Sequence, residues 1–176
     1  MSELNCTFFE LGCDLVADIA GDANSDLTGD WVKLSDYTRA YVYLSKPAGT
    51  AGDDLSIKVN QATDNAGTSS KDLTFTRVWY RVGAWTAETA WTHVNLSTPT
   101  ADLDLASVGG TDIGSDDAAA QVVVEIMAES LDADNGFTHA QVTYEGDDIG
   151  NALIINSQWI MCGGHYQSNT PTRPVG

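Results

Sequence analysis

Apolar and polar residues alternate with a period of two over much of this chain, the pattern of strands that bury one face. Leu55, Ile57 and Val59 alternate with Ser56, Lys58 and Asn60, which predicts a half-buried strand over Leu55–Gln61. Leu73 and Phe75 open a second alternation, and its phase slips at Arg77 because Val78, Tyr80 and Val82 fall on even positions. A bulge absorbs one extra residue of this kind and bends the strand that carries it. Between the two runs lies Ala62–Asp72, rich in Asp, Asn, Gly, Thr and Ser, a composition that selects turns on backbone grounds.

The same reading extends along the chain. Trp31–Leu34 and Arg39–Leu44 are predicted strands separated by the Ser35-Asp36 turn signal, and Pro47 with the following glycines makes a loop. Ala90–Leu96 sets Thr92, Val94 and Leu96 against Trp91, His93 and Asn95, and Pro99 ends it. Leu103 and Leu105 suggest a short strand, followed by a flexible loop over Gly109–Asp117. Gln121–Ala128 is the most apolar run and is expected to be central, with Val122, Val124 and Ile126 sharing a core with Ile155 and Trp159. Phe137–Tyr144 and Leu153–Met161 complete the set. Leu11, Leu15, Val16 and Ile19 have a partly helical spacing bracketed by Gly12 and Gly21, which reads as an extended arm with at most a helical turn. Roughly eight to ten strands and no convincing helix predict an all-β fold, an antiparallel β-sandwich of jelly-roll type. Residues 1–27 are expected to form an N-terminal arm, 28–162 the sandwich, and 163–176 a short C-terminal tail.

Charge narrows the function. The 176 residues suit one domain, and 43% apolar content supplies a core. Eight Lys+Arg against 25 Asp+Glu give a net charge of −17, and no Lys or Arg lies between Arg81 and Arg173. Such a chain is repelled by nucleic acid and by anionic membranes, so neither is an expected partner. No basic segment followed by an apolar one opens the chain, so no signal peptide is expected. No apolar run approaches the length of a membrane span. Cys6, Cys13 and Cys162 cannot form a closed set of disulfides, which suits synthesis in a reducing cytosol.

A search for chemistry returns little. His93, His139 and His165 lie far apart, and no nucleophile elbow or phosphate-cradling loop is present. Cys162-Gly-Gly-His165 has a metal-compatible spacing, but a zinc site needs a second ligand pair that only Cys6 and Cys13 could supply as thiols. Asp132-Ala-Asp134-Asn135-Gly136 opens like a calcium loop, yet the closing position holds Thr143 instead of Glu. Asp53-Asp54 and Asp147-Asp148 are further acidic turns, and turn chemistry accounts for all of them. No enzyme activity, cofactor or obligatory metal is expected, with Asp132 and Asp134 the nearest approach to a metal site.

Three motifs carry a resemblance: Thr28-Gly29-Asp30-Trp31-Val32-x-Leu34-x-x-Tyr37, then Ala48-Gly49-Thr50-Ala51-Gly52-Asp53-Asp54, then Gln61-Ala62-Thr63-Asp64-x-Ala66-Gly67-Thr68-x-x-Lys71-x-Leu73. Leu131-Asp132-x-Asp134-Asn135-Gly136-Phe137 and Ala152-Leu153-x-Ile155 continue it. Over about residues 28–160 the chain resembles a family of tailed-bacteriophage virion proteins, the head decoration or cement proteins with jelly-roll-like folds. The opening of the chain departs from the proline-rich openings of that family. The resemblance implies a structural protein on the outer surface of a capsid, made in the host cytoplasm. Its partners would be the major capsid protein and further copies of itself, as dimer or trimer.

Trp79, Tyr80, Trp85 and Trp91 cluster around one predicted strand–turn–strand unit and are the candidate interface residues. Tyr and Trp are favoured anchors of protein contacts, although some of the four must fill the core. The alternative is a virion-attached carbohydrate-binding jelly roll for host adhesion, using the same rings for stacking. A flat aromatic strip flanked by Asp and Asn would favour sugar, and a broad patch would favour protein.

Overall fold

Alternation is cleanest in Arg39–Lys46, where Ala40, Val42, Leu44 and Lys46 are buried while Arg39, Tyr41, Tyr43 and Ser45 are half-exposed. Such a segment has two different faces, and it fixes the architecture around it. The computed structural model describes residues 13–22, 26–48, 54–83, 90–113, 119–147 and 154–164. Within them run twelve strands: β1 (Cys13–Asp22), β2 (Leu27–Thr28), β3 (Val32–Lys33), β4 (Arg39–Lys46), β5 (Asp54–Ala62), β6 (Lys71–Asp72), β7 (Phe75–Val82), β8 (Thr92–Thr100), β9 (Asp102–Asp104), β10 (Ala120–Met127), β11 (His139–Asp147) and β12 (Ile154–Cys162). The remaining regular elements among the described residues are short 3-10 turns.

The strands form two antiparallel sheets. Sheet A has the order β1-β12-β4-β10-β7-β8. In sheet B, β11 is flanked on one side by β2 and β3 and on the other by β5, which pairs in turn with β6 and β9. The all-β expectation therefore holds. Inward side chains of both sheets meet in one cluster: Val42, Val78, Val124, Ile155 and Trp159 from sheet A, with Ile57, Val59, Val142 and Tyr144 from sheet B. Val122, Val124, Ile126, Ile155 and Trp159 are all at most 1% exposed, as their spacing predicted. Each such side chain contributes about 1.5–3 kcal/mol by leaving water. Tyr144 and Ser157 share a buried hydrogen bond that ties β11 of one sheet to β12 of the other.

Two departures from the sequence reading follow from pairing between distant segments. Residues 13–22, expected to lie in an extended arm with a helical turn, are extended but belong to the sheet: they form β1, which pairs with β12 at the edge of sheet A. Their sequence carries too few periodic positions to announce a strand, and the exposed edge of β12 supplies the missing instruction. Likewise the two strands expected on either side of Ala62–Asp72 belong to different sheets: that segment folds back as β6 beside β5 in sheet B, and the chain passes to sheet A only between Asp72 and Phe75. The phase slip expected at Arg77 is present: Phe75 and Val78 are buried while Thr76 and Arg77 are exposed. Here the β7–β8 register jumps from Phe75↔Thr100 to Arg77↔Asn95.

Candidate interaction surface

The residues of β4, β10, β7 and β8 that point away from the core form one continuous patch on sheet A. Register places Glu125 of β10 opposite both Tyr41 of β4 and Arg77 of β7. Val123 lies between Tyr43 and Trp79, and Gln121 between Ser45 and Arg81. Trp79 in turn lies opposite His93 of the edge strand β8. Period-two alternation brings these side chains to the same side, so the patch runs across four strands from Arg39 to His93.

Its centre is an ion-paired carboxylate. The Glu125 side chain is only 2% exposed, and it accepts from Arg77 Nη1 at 2.9 Å and from Arg39 Nη1 at 3.1 Å. Tyr41 donates its hydroxyl to the same carboxylate at 3.3 Å. The Arg39 guanidinium is raised above its ordinary pKa, first through its hydrogen bond with Tyr41 and further through Glu125. Charge-assisted bonds from two sides hold the three strands in one geometry. A cleft of about 260 Å³ opens beside this group, lined in part by Phe75, Arg77, Pro99, Met127 and Glu129.

Aromatic rings surround the ion pairs. The Trp79 ring stacks on the His93 imidazole with centroids 4.7 Å apart and planes 23° from parallel. Tyr41 meets Trp79 edge-on at 6.2 Å. At the end of the patch the Arg81 guanidinium lies 5.3 Å from the centre of the Trp91 ring and donates to the Gln121 side chain. Trp91 is 44% exposed, a large apolar side chain left facing solvent.

Of the four candidate interface residues, Trp79 and Trp91 belong to this patch. Tyr80 does not: it is 7% exposed and packs in the core, because adjacent strand residues face opposite sides. Trp85 lies outside the described residues. The residues that sequence reasoning missed are Tyr41, Tyr43, Arg39, Arg77, Arg81 and Glu125. A signal existed in the alternate positions of Arg39-x-Tyr41-x-Tyr43 and Arg77-x-Trp79-x-Arg81, but nothing in the sequence says that these strands flank β10.

The opposite face, on sheet B, carries the other sign. Lys58 of β5 lies opposite Asp102 of β9 and Thr143 of β11, and it pairs with Glu145 at 3.3 Å. The hydrogen bond and charge of Glu145 raise the Lys58 ammonium above its ordinary pKa. Asp72 faces Asn60, so Glu145, Asp102 and Asp72 gather about one ammonium, and Asp104, opposite Ser56, stands beside Asp102. Burial and the neighbouring Glu145 push the Asp102 carboxyl upward.

The remaining candidates resolve into structure. Asp132 is taken by Lys71 and by Asn135 Nδ2 at 2.8 Å, and the Lys71 ammonium lies 4.3 Å from the Phe137 ring centre. Those bonds, Lys71 first, hold the Asp132 carboxyl below its ordinary range. Asp134 sits in the same turn, exposed. Gln61 ties that turn to β5 and β6, donating to Asp72 O at 2.9 Å and accepting from Asp132 N at 2.8 Å. His93 and His139 lie in different sheets. Cys13 and Cys162 are register partners across β1 and β12, while Cys6, Asp53, Asp148 and His165 lie outside the described residues. No group of three or more His, Cys, Asp or Glu among the described residues could hold a metal ion.

No protein-family model, curated protein or solved structure matches the chain.

Proposed function

We propose that this chain is a non-catalytic structural protein that decorates and cements the outside of a tailed-phage capsid, binding the major capsid protein and further copies of itself. The observation that carries the reading is the patch on sheet A. Tyr, Trp and Arg are the residues that dominate the energetics of protein–protein contacts, and here they gather on one face of a body whose overall charge is −17. A cement protein needs such a face, and it needs the acidic remainder to stay dispersed at high copy number and away from packaged DNA.

The strand order supports a jelly-roll sandwich, the fold that the resemblance implies. Taking β2 and β3 as one strand and setting aside the β6–β7–β8 excursion leaves eight strands. In sheet A they run first, eighth, third, sixth; in sheet B second, seventh, fourth, fifth. That is the order produced by two interlocked Greek keys.

The carbohydrate reading fits the patch less well. Sugar stacking needs an open ring face, and His93 covers one side of Trp79 while Tyr41 meets its edge. Arg39, Arg77 and Arg81 dominate the polar groups around the rings, with Asn95 opposite Arg77 the one Asn placed among them by register. Purifying the native particle and counting copies of this chain tests the proposal: hundreds per particle are expected. Particles that carry a few copies, and that lose adsorption to cells but no robustness when these are removed, would favour the adhesion module.

A further inference from the structure

The patch on sheet A is specific about the charge of what it binds. Three of the chain's eight Lys+Arg are here, Arg39, Arg77 and Arg81, accompanied by Glu125, one of its 25 Asp+Glu. Arg39 and Arg77 spend one charge between them on Glu125, yet their side chains stay 42% and 52% exposed. Guanidinium groups with this exposure keep donors available for a second carboxylate. The face is therefore a cationic, aromatic surface matched to an acidic one.

An acidic surface of that description exists on the same molecule. Asp72, Asp102 and Glu145 surround Lys58 on the outer face of sheet B, and Asp104 adds a further carboxylate beside Asp102. The inner faces of the two sheets share one core, so these outer faces point in opposite directions and cannot meet within one chain. Between two chains they can. We infer that the outer face of sheet A of one copy docks on the outer face of sheet B of the next, a head-to-tail contact of arginine and aromatic side chains with carboxylates.

Symmetric pairing through either face is disfavoured. Two sheet-A faces would oppose arginine to arginine, and two sheet-B faces carboxylate to carboxylate, at a cost that like charges impose on any contact. A heterologous contact instead uses each face once per copy and propagates until it closes into a ring or runs on as a chain. This deepens the cement reading and rests on it for its biological purpose, since copies joined in this way would link neighbouring sites on a shell. At −17 per copy, long-range repulsion keeps dilute chains apart. At about 0.15 M salt, screening acts beyond about 8 Å, which leaves the local complementarity to decide.

Sedimentation of the full chain near physiological salt tests the contact. One variant, Arg81→Glu with Trp91→Ser, spoils the sheet-A face while leaving the Arg39–Glu125–Arg77 group intact. A second, Asp72→Lys with Asp102→Asn, spoils the sheet-B face. Thermal melts first establish that both fold. The unaltered chain is expected to exceed twice the single-chain mass as concentration rises, and each variant is expected to stay single. Mixed in equal amounts, the two variants retain one good face of each kind and should form a pair that grows no further. An unaltered chain that remains single at every concentration would overturn the inference, as would variants that associate as it does or a mixture that grows past a pair. A single chain that nevertheless loads particles in hundreds would overturn this contact and leave the decoration reading standing. Self-association by a chain absent from particles would do the reverse.

Discussion

Arg77 of β7 and Glu125 of β10 stand opposite each other in register and pair at 2.9 Å, and Arg39 reaches the same carboxylate from β4 at 3.1 Å. One nearly inaccessible carboxylate is thus held by two guanidiniums that are themselves half in water. The arrangement locks the middle of the outer face of sheet A and leaves its arginines presented outward.

Redundancy at Glu125 predicts non-additive losses. Arg39→Ala or Arg77→Ala alone leaves one arginine and the Tyr41 hydroxyl on Glu125, and each should cost little, in the range of a partly exposed pair, about 0–1 kcal/mol. Removing both leaves a buried carboxylate with the neutral Tyr41 hydroxyl and no opposite charge from either arginine, a situation that costs about 3–5 kcal/mol. Urea unfolding of the two single variants and the double variant should show a loss in the double well above the sum of the singles. Simple additivity would mean that water reaches Glu125.

Gly67 is predicted to be irreplaceable for two reasons that can be separated. Its φ of +78° lies in the left-handed region, and an added Cβ would sit 2.8 Å from Trp31 Nε1. Gly136 has φ of +80° with nothing within 4 Å of the same position. Both alanine substitutions pay the conformational cost of about 1–2 kcal/mol, and Gly67→Ala adds the clash with Trp31. Its melting temperature should fall further than that of Gly136→Ala. Equal losses would show that Trp31 moves aside freely.

Stability should depend on pH through His139. Partial burial lowers its pKa from the ordinary value of 6.5, and Lys33 adds to the effect while Asp64 and Asp36 oppose it. Its ring nitrogen Nδ1 lies 2.8 Å from Thr138 Oγ1. A lowered histidine pKa means that the unfolded chain binds the proton more readily, so the contribution is complete above pH 6.5 and is lost as pH falls from there to the folded pKa. Comparing His139→Gln with the unaltered chain cancels the titration of all other groups. Between pH 7.5 and 5.5 the variant should lose less stability. Parallel pH profiles would exclude His139 as the source.

Added calcium should not stabilise the turn at Asp132. Lys71 already supplies a cation to that carboxylate, and Asn135 holds it from within the turn. Melts with calcium and with chelator are expected to superimpose. A large rise with calcium would require Asp132 to leave Lys71.

Much of this fold was legible because burial imprints a period of two. Val122, Val124 and Ile126 announced a core strand, and the slip at Arg77 announced the irregular β7–β8 register. Segment 13–22 gave no such signal, since its strand character comes from pairing with β12 rather than from its own pattern. The contact face was legible only in halves. Trp79 and Trp91 stand out as aromatics, but so does their neighbour Tyr80, which alternation sends inward. Tyr41, Glu125 and Arg77 are 36 to 84 positions apart in the chain, and only the strand order β4-β10-β7 makes them one surface.

Oxidative footprinting of aromatic side chains, on the isolated protein and on the intact particle, tests the central claim most directly. In dilute solution, where the chains are single, Trp79, Trp91 and Tyr41 are expected to react, Trp91 most because it is the most open. On the particle, all three should be strongly protected. Unchanged reactivity of the three rings on the particle would contradict the claim that the outer face of sheet A is the contact surface.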